Sequence, residues 1–499
     1  MKDNNYNQDY YNAKQLKLPL NLGIKIPFDS EARTFDEVFH KSGVEKYLIS
    51  NDKGRIGYNL VSMLKLVLFC NMINIYSLRG MESAARNDIR LMWLTDEIKP
   101  SHQAIGNFIN NHLSKSINDI FKEINNYIIK TDNVNTDILY IDGTKIESKA
   151  NKYTFIWRGS VDKFEAKLHL KITKLMKNLN KEYNPYNISF DYFDIYETSY
   201  LIKIKTFIEK EIKNNKITLV YGSGKRKTAQ QRFFELLDEY ITKLNEYKVH
   251  IDIMGKNRNS YSKTDHDATF MRLKEDYMQN QQLKPAYNLQ IGVSDEYILS
   301  LMISQERSDF NTYIPFLEHY HNLYNKYPKY PVADSGYGSL YNYRYTKLKG
   351  MELFQKYGMY EKDTKDKKYL LEEYRPHNLI KISDKVYQTK SGEILDYLYT
   401  DKFGKDHYYS KILNKVKVIH EENLRYQKEA IANLTSPLGI ELRIQRSIQV
   451  EGAFGVIKEN YGIRRFRRGG LENVHLEMTL TAIGYNLLKF HNKRYRIIQ

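Results

Sequence analysis

Cysteine is almost absent from this sequence, in which Cys70 is the single one among 499 residues. One cysteine excludes an internal disulfide and any zinc module built from several cysteines. Long apolar runs are also missing, because the most apolar stretch, residues 60–75, is interrupted by Lys65 and Asn71. It falls short of the roughly 20 residues that a membrane-spanning helix needs. We therefore expect no membrane partner and interpret residues 60–75 as a buried helix.

Acidic residues are in deficit, with 60 Asp and Glu against 77 Lys and Arg, which gives a net charge of +17 and a pI near 9.3. A surface of that sign attracts polyanions, so nucleic acid is the first partner to consider. The alternative is a basic protein without such a partner. The first twenty residues show no apolar run of the signal-peptide kind, so we expect a cytoplasmic, nucleoid-associated location.

The pattern of apolar residues divides the chain into parts. Residues 1–30 are polar and predict a flexible segment, whereas residues 31–130 have helical periodicity and predict an all-helical domain. Residues 131–499 alternate strand-like and helical segments, which predicts a mixed α/β fold. Within them, lysine-rich helices at about 160–250 and a tyrosine-rich, small β region at about 343–425 resemble insertions. The sequence leaves the role of the helical insertion open between dimerisation and DNA clamping.

A short helix is predicted after Ser101, which is a suitable N-cap. Its apolar residues, such as Ile105 and Phe108, define an inner face and leave Gln103 and Asn107 pointing outward. Such a helix can read a DNA groove, and plain packing is an equal alternative. Further along the chain, we interpret residues 249–253, VHIDI, as an edge strand.

Three acidic residues stand beside apolar segments. Asp142 follows the predicted strand of residues 138–141, Asp334 follows a second predicted strand end, and Glu451 begins the helical phrase EGAFGVIK. A buried carboxylate is costly unless it is paired or bound to a metal. Hard oxygen ligands suit Mg²⁺ or Mn²⁺, and two such ions about 4 Å apart catalyse phosphoryl transfer. Each acid alone is explained by a solvated strand end or a cap, so the metal-site hypothesis depends on the combination.

Basic residues follow the last of these acids. Lys458 lies seven residues after Glu451, a spacing that puts both on one face of an α-helix. Lys458 is then placed to hold a phosphate, or the two residues form a solvated surface pair. The turn IRRFRRGG adds four arginines: Arg464, Arg465, Arg467 and Arg468. Arginine suits bidentate phosphate contacts, and a solvated basic turn is the equal alternative.

Five phrases of the sequence resemble the DDE transposases of bacterial insertion sequences. They are DGTKIESKANKYTFIW from Asp142, KTDHDATFMRLKED near Asp265, LKPAYNLQIGV, VADSGYGSLYN around Asp334, and LRIQRSIQVEGAFGVIKENYGIRRFRRGG around Glu451. Their order, spacing and wording match over most of the chain. Residues 33–113 resemble the helical N-terminal domain of the InsH-like subgroup.

The resemblance implies a ribonuclease H-like catalytic core with a mixed sheet and an N-terminal helical DNA-binding domain. Asp142, Asp334 and Glu451 take the places of the family's three metal-binding acids. The implied cofactors are two Mg²⁺ or Mn²⁺ ions. The implied DNA partners are the double-stranded terminal inverted repeats of the element and the target DNA. The resemblance also implies that two copies of the chain bind this DNA as a homodimer. The implied reaction is cleavage at the ends of the element and joining of the 3′ hydroxyls to target DNA.

The sequence departs from the family pattern in two respects. Lys458 fits the family's lysine, but Ser447 stands at the usual arginine position, so Arg446 or Arg443 is the substitute. Many relatives carry several cysteines between the second acid and the Glu, where this chain has tyrosines such as Tyr387, and we expect no zinc. Two alternative functions stay open: a metal-dependent nuclease of the same fold, and an inactive transposase-derived DNA-binding protein.

Overall fold

The computed structural model describes residues 22–48, 57–222, 224–273 and 282–496. These residues form two compact units. The first combines the described residues up to Glu147 with those from Tyr287 onward, and the second is residues 148–286. Most of the predicted flexible segment, residues 1–21, lies outside the described residues, and Leu22–Lys25 form a helical turn.

The helices are α1 Leu22–Lys25, α2 Glu31–Ser42, α3 Leu60–Met72, α4 Leu78–Asn87, α5 Ile89–Thr95, α6 His102–Phe108, α7 Ser114–Thr131, α8 Arg158–Tyr183, α9 Thr198–Asn214, α10 Ala229–Met254, α11 Tyr313–Tyr324, α12 Leu340–Leu348, α13 Tyr360–Lys365, α14 Lys367–Leu371, α15 Glu421–Thr435, α16 Pro437–Arg446, α17 Gly452–Gly455 and α18 Leu471–Arg496. Short 3₁₀ turns are Val44–Tyr47, Asn184–Tyr186 and Asp309–Asn311, and π-helical segments are Ile109–Leu113, Ser447–Glu451 and Val456–Asn460.

The strands are β1 Ile138–Glu147, β2 Phe155–Trp157, β3 Ser260–Ser262, β4 Thr269–Arg272, β5 Leu283–Ser294, β6 Tyr297–Ser304, β7 Tyr330–Gly338, β8 Phe354–Tyr357, β9 Ile380–Ser383, β10 Val386–Gln388, β11 Asp396–Thr400, β12 Asp406–Ser410 and β13 Lys415–Ile419. The prediction of a mixed α/β fold is confirmed. None of the helices in the described part of the chain combines the length and the apolarity needed to cross a bilayer.

The N-terminal helices pack on the last helix of the chain. α3 is the buried helix predicted for residues 60–75, and α18 runs against α3 and α7. The two backbones meet at Gly484, where a Cβ would stand only 2.5 Å from the carbonyl oxygen of Asn71. Glycine is required at this position because any side chain would force the two helices apart.

The part of the central sheet that lies in the first unit has the order β6-β5-β1-β7-β8. β5 and β6 form an antiparallel hairpin whose turn residues, Asp295 and Glu296, both have positive φ, as in the tight turns that match strand twist. β1, β7 and β8 are parallel to one another. β8 lies inside the predicted insertion at 343–425 but belongs to this sheet, so the added β structure begins after it.

That added structure consists of two small antiparallel sheets, β9 with β10 and β11-β12-β13. A separate apolar cluster that includes Leu379, Tyr387 and Tyr408 holds them together. The tyrosines at these positions are therefore core residues of the β region.

The second unit is built around α8, α9 and α10, whose apolar faces form one core that includes Ile172, Ile208 and Leu237. In the same unit, β4 pairs antiparallel with Leu283–Ala286 of β5. The interpretation of residues 249–253 as an edge strand is wrong, because they form the end of α10. Tertiary packing of the long helix overrides the local composition of this segment.

We expect Gly484→Ala to lower the free energy of unfolding by about 1–3 kcal/mol, because the new methyl group overpacks the contact between α3 and α18. Chemical denaturation of the purified variant measures this loss. Gly455→Ala is the matched control, since Gly455 is helical and has open space around its Cα. Alanine there should be neutral or stabilising. Equal effects of the two substitutions would contradict the close packing at Gly484.

Candidate active site

The parallel pairing of β1 and β7 brings two of the predicted acids together. Ile141 and Ala333 are register partners, so the next residues, Asp142 and Asp334, lie side by side on neighbouring strands. Both are half-buried. Oδ1 of Asp142 accepts a hydrogen bond from the N–H of Gly143, and Oδ1 of Asp334 accepts one from the N–H of Gly336, each at 2.8 Å.

The prediction that β1 ends at Asp142 is wrong, since the strand continues to Glu147. Gly143 does not form a turn. Its missing side chain lets Gln290 and Asp309 lie close to the backbone of β1. A Cβ at Gly143 would stand 2.1 Å from Nε2 of Gln290 and 2.8 Å from Oδ1 of Asp309. Glycine within a strand commonly marks such a contact.

The Asp142 carboxylate is electrostatically strained. Burial raises its pKa from the ordinary value to about 6, and the charge of Asp334 adds to that rise. Arg446 opposes it: its Nη1 donates to Oδ2 of Asp142 at 3.1 Å, and the two side chains are 17% and 22% exposed. Arg446, one of the two candidates for the family's arginine, is therefore engaged with the candidate site acid in this structure.

A third carboxylate, Asp309, lies beside the pair, and the sequence analysis missed it. A methyl group on Gly336 would touch Oδ1 of Asp334, at 3.0 Å, and Oδ2 of Asp309, at 3.4 Å, so the two carboxylates flank this glycine. Oδ1 of Asp309 accepts hydrogen bonds from Asn288 Nδ2 at 2.8 Å and from Gln290 Nε2 at 3.0 Å. These amides fix the position of Asp309.

The buried Tyr337 completes this polar network. Its hydroxyl donates to Oε1 of Gln290. Burial raises the pKa of Tyr337 well above its usual range, and the charges of Asp309, Asp142 and Asp334 contribute in the same direction. All three carboxylates thus act on one hydroxyl. Asp309 stands five residues after the end of β6, so it lacks the position directly behind an apolar run that marks Asp142 in the sequence.

Glu451 ends the π-helical segment Ser447–Glu451 that continues α16. A π-helix bonds residues five apart, which turns position 451 toward the side of Arg446. Glu451 is exposed, and within the described residues its carboxylate has no hydrogen bond or ion pair. Across the described ranges, no group of three or more His, Cys, Asp or Glu side chains is arranged to hold a metal ion. The structure therefore groups Asp142 with Asp334 and leaves Glu451 outside that group.

The expectation that Lys458 shares a helix face with Glu451 assumed a regular α-helix. The structure instead places Lys458, half-buried, in the second π-helical segment, Val456–Asn460. The wider π turns on both sides of α17 change the angular spacing. Seven residues therefore do not by themselves align the two side chains.

The four arginines of the basic turn have protein contacts. Arg464 pairs with Glu459 at 2.6 Å, and Nε of Arg465 lies 3.9 Å from Oε1 of Glu147. Both side chains remain about half exposed or more, at 68% and 48%. The positive charge of Arg464 is thus partly neutralised by Glu459 within the protein.

Arg467 and Arg468 are held more closely. The buried Glu477 accepts hydrogen bonds from the backbone N–H groups of both, and burial raises the pKa of Glu477 despite these bonds. The guanidinium of Arg467 stacks over Tyr76, and Arg468 Nη1 donates to Oδ1 of Asn110 at 2.7 Å. The turn is therefore fixed against the N-terminal helices.

The short helix α6 begins as predicted. The Ser101 hydroxyl caps it by accepting the N–H of Ala104. Ile105 and Phe108 are buried. Gln103 and Asn107 are exposed on the opposite face. This arrangement leaves both polar side chains available to a ligand.

Two family models match the chain. Residues 20–111 match the Transposase domain (DUF772), and residues 408–491 match the Transposase DDE domain. Both matches support a DDE-type transposase of insertion sequences. No curated protein and no solved structure matches it. The DDE match contains Glu451, while Asp142 and Asp334 precede it. The InsH-like subgroup stays a prediction.

The raised pKa of Asp142 predicts a pH-dependent stability of the transposase. Between its unfolded pKa near 4 and its folded pKa of about 6, the folded state binds more protons, so stability falls as pH rises through that window. Asp142→Asn removes the titrating group and therefore this loss. We expect the free energy of unfolding of the variant, relative to that of the parent, to rise by up to about 3 kcal/mol between pH 4 and pH 7. Thermal unfolding in EDTA measures it.

The control for this experiment is Asp384→Asn, because the Asp384 side chain is 87% exposed. Its stability difference from the parent should stay constant across the same pH range. A constant difference for Asp142→Asn as well would contradict the raised pKa.

Proposed function

We propose that this transposase binds the terminal inverted repeats of its insertion sequence, cleaves DNA at the ends and joins the 3′ hydroxyl ends to target DNA. One observation carries the proposal: Asp142 and Asp334 lie side by side on adjacent parallel strands, in a chain whose DDE match contains Glu451. Paired carboxylates in a half-buried position are costly without a cation, and phosphoryl transfer uses such pairs.

The sheet supports the proposal of a ribonuclease H-like core. An antiparallel hairpin, β5 with β6, flanks β1 on one side, and the parallel strands β7 and β8 flank it on the other. The resemblance implies a mixed sheet of this kind, and Asp142 and Asp334 lie on its adjacent parallel strands β1 and β7. Glu451 would reach the site from the helix that follows α16.

The residues of the site fit a divalent metal ion. Asp142 and Asp334 offer hard oxygen donors, and the raised pKa of Asp142 shows that its charge is poorly compensated by the protein alone. Asp142 and Asp334, with Glu451, would hold Mg²⁺ or Mn²⁺. When bound, two such ions activate an attacking oxygen and stabilise a leaving one. A divalent ion that binds Oδ2 of Asp142 would have to share that oxygen with Arg446 or displace its guanidinium.

We assign DNA contacts to exposed or half-buried polar side chains of the first unit. Gln103 and Asn107 present amides that suit base edges, as in a recognition helix. Arg464, Arg465 and Lys458 supply phosphate contacts, whereas Arg467 and Arg468 mainly fix the turn against the N-terminal helices. The two ends of the element must be held together during the reaction, so we propose a homodimer on DNA that acts at the nucleoid.

The decisive experiment incubates the transposase with labelled DNA that carries its inverted repeats, in Mg²⁺ or in EDTA. We expect new 3′ ends at the repeats and joined products that require Mg²⁺, and at least a 10²-fold loss of both in Asp334→Asn. Asp384→Asn is the matched control and should retain activity.

Two outcomes would contradict the proposal. Metal-dependent cleavage that ignores the repeats and yields no joined product would favour a nuclease of the same fold. Repeat binding without any metal-dependent cleavage would favour an inactive DNA-binding descendant of a transposase. A melting curve for each variant separates loss of chemistry from loss of folding.

Metal binding gives a second test that does not depend on activity. Mn²⁺ at about 100 times its dissociation constant should stabilise the parent by about 2.7 kcal/mol, because the ion binds the folded site. Asp142→Asn and Asp334→Asn should each lose most of this stabilisation, and Asp384→Asn should keep it. An equal thermal shift in all four proteins would place Mn²⁺ elsewhere.

A further inference from the structure

A row of lysines runs along α8 in the second unit. Its members, which we call the α8 lysine stripe, are Lys163, Lys167, Lys171, Lys174, Lys177 and Lys181. All six are exposed. Their spacings of three and four residues place them within about 120° of the helix circumference and along about 27 Å of its axis. One face of a single helix therefore presents six positive charges in a line.

The protein does not neutralise this charge. Among the described residues, no stripe lysine forms an ion pair or a hydrogen bond. The acidic residues of α8 are Asp162, Glu165 and Glu182, and none stands three or four residues from a stripe lysine, which is the spacing of helical ion pairs. Elsewhere in this unit, lysines do find carboxylates, as in Lys205 with Asp238 and Lys213 with Glu209.

The opposite face of α8 fixes the direction of the stripe. Leu168, Ile172 and Leu179 are buried in the core shared with α9 and α10. The lysines therefore cannot turn inward without exposing that core. Like charges at helical spacing repel one another and destabilise the helix. The stripe carries this cost as long as no polyanion lies against it.

We propose that the α8 lysine stripe binds the phosphate backbone of duplex DNA. The proposal rests on the proposed function, and charge complementarity selects the ligand. A length of about 27 Å corresponds to about eight base pairs at 3.4 Å per step. Lysine contacts phosphates as a point charge and carries no base information, so the stripe supplies affinity that is independent of sequence.

An apolar protein partner fits this face poorly. Leu170, 72% exposed, is the one large apolar side chain within the stripe, and Phe164 lies beside its end. Two such residues, six positions apart, do not form a continuous apolar patch. The α8 lysine stripe is therefore suited to a charged ligand and not to an apolar one.

The test uses the full-length transposase with a random-sequence duplex and no divalent metal. Binding is followed by fluorescence anisotropy between 50 and 200 mM NaCl. We expect Lys167→Gln/Lys171→Gln/Lys174→Gln to reduce the slope of log K against log salt by about 2.7, because each phosphate contact contributes about 0.9. The same variant should bind at least about tenfold more weakly at 100 mM salt.

The matched control is Lys205→Gln/Lys213→Gln/Lys243→Gln. It removes the same charge from the same unit, but each of these lysines is paired with a carboxylate. Its slope should stay within about 0.5 of the parent. Arginine at the three stripe positions should restore the parent slope, and melting curves confirm that each variant is folded.

Equal slopes for the stripe variant and the control would overturn the inference. Loss of self-association in the stripe variant, with an unchanged salt slope, would also overturn it and assign the face to a second copy of the chain. In both cases cleavage and joining at the inverted repeats would continue, so the proposed function would stand. A parent that binds neither random nor repeat DNA would refute both.

Discussion

The parallel ladder between β1 and β7 is the constraint on which the candidate site depends. Register alone decides that Asp142 and Asp334 emerge next to each other, since a shift of one residue would send one of them to the other face of the sheet. The neighbouring hairpin then brings Gln290 against Gly143. The amides of Gln290 and Asn288 set the position of Asp309. Strand pairing therefore determines which acids lie together, and hydrogen bonds from side-chain amides then fix the position of Asp309.

The site is held at an energetic cost that the rest of the first unit has to offset. Asp142 keeps a charge that burial and Asp334 both oppose, and the arginine that compensates it comes from a helix far along the chain. A site of this kind is stabilised by whatever cation reaches it, either the guanidinium of Arg446 or a divalent ion. Under the proposed function, a divalent ion would compete with Arg446 for Oδ2 of Asp142, and metal binding would then be coupled to the arrangement of α16.

Much of the fold follows from local sequence pattern. The buried helix α3, the cap at Ser101 and the strands β5 and β6 were predictable because each depends on residues close together in the chain. The acids Asp142 and Asp334 were predictable for the same reason. The contact of Arg446 with Asp142 was not, because it joins positions 304 residues apart and only tertiary packing creates it. Residues 249–253 were mispredicted for a related reason. Their composition is locally strand-like, but in the structure they belong to the long helix α10.

The packing of α18 against α3 also sets when the first unit can finish folding. About 400 residues separate the end of α3 from the start of α18, yet Gly484 lies against the backbone of Asn71. At a synthesis rate of about 5–20 residues per second, the N-terminal helices wait about 20–80 s for their last packing partner. A chain that stops before α18 leaves the apolar face of α3 uncovered. The N-terminal helices can therefore complete their packing only after α18 has been translated.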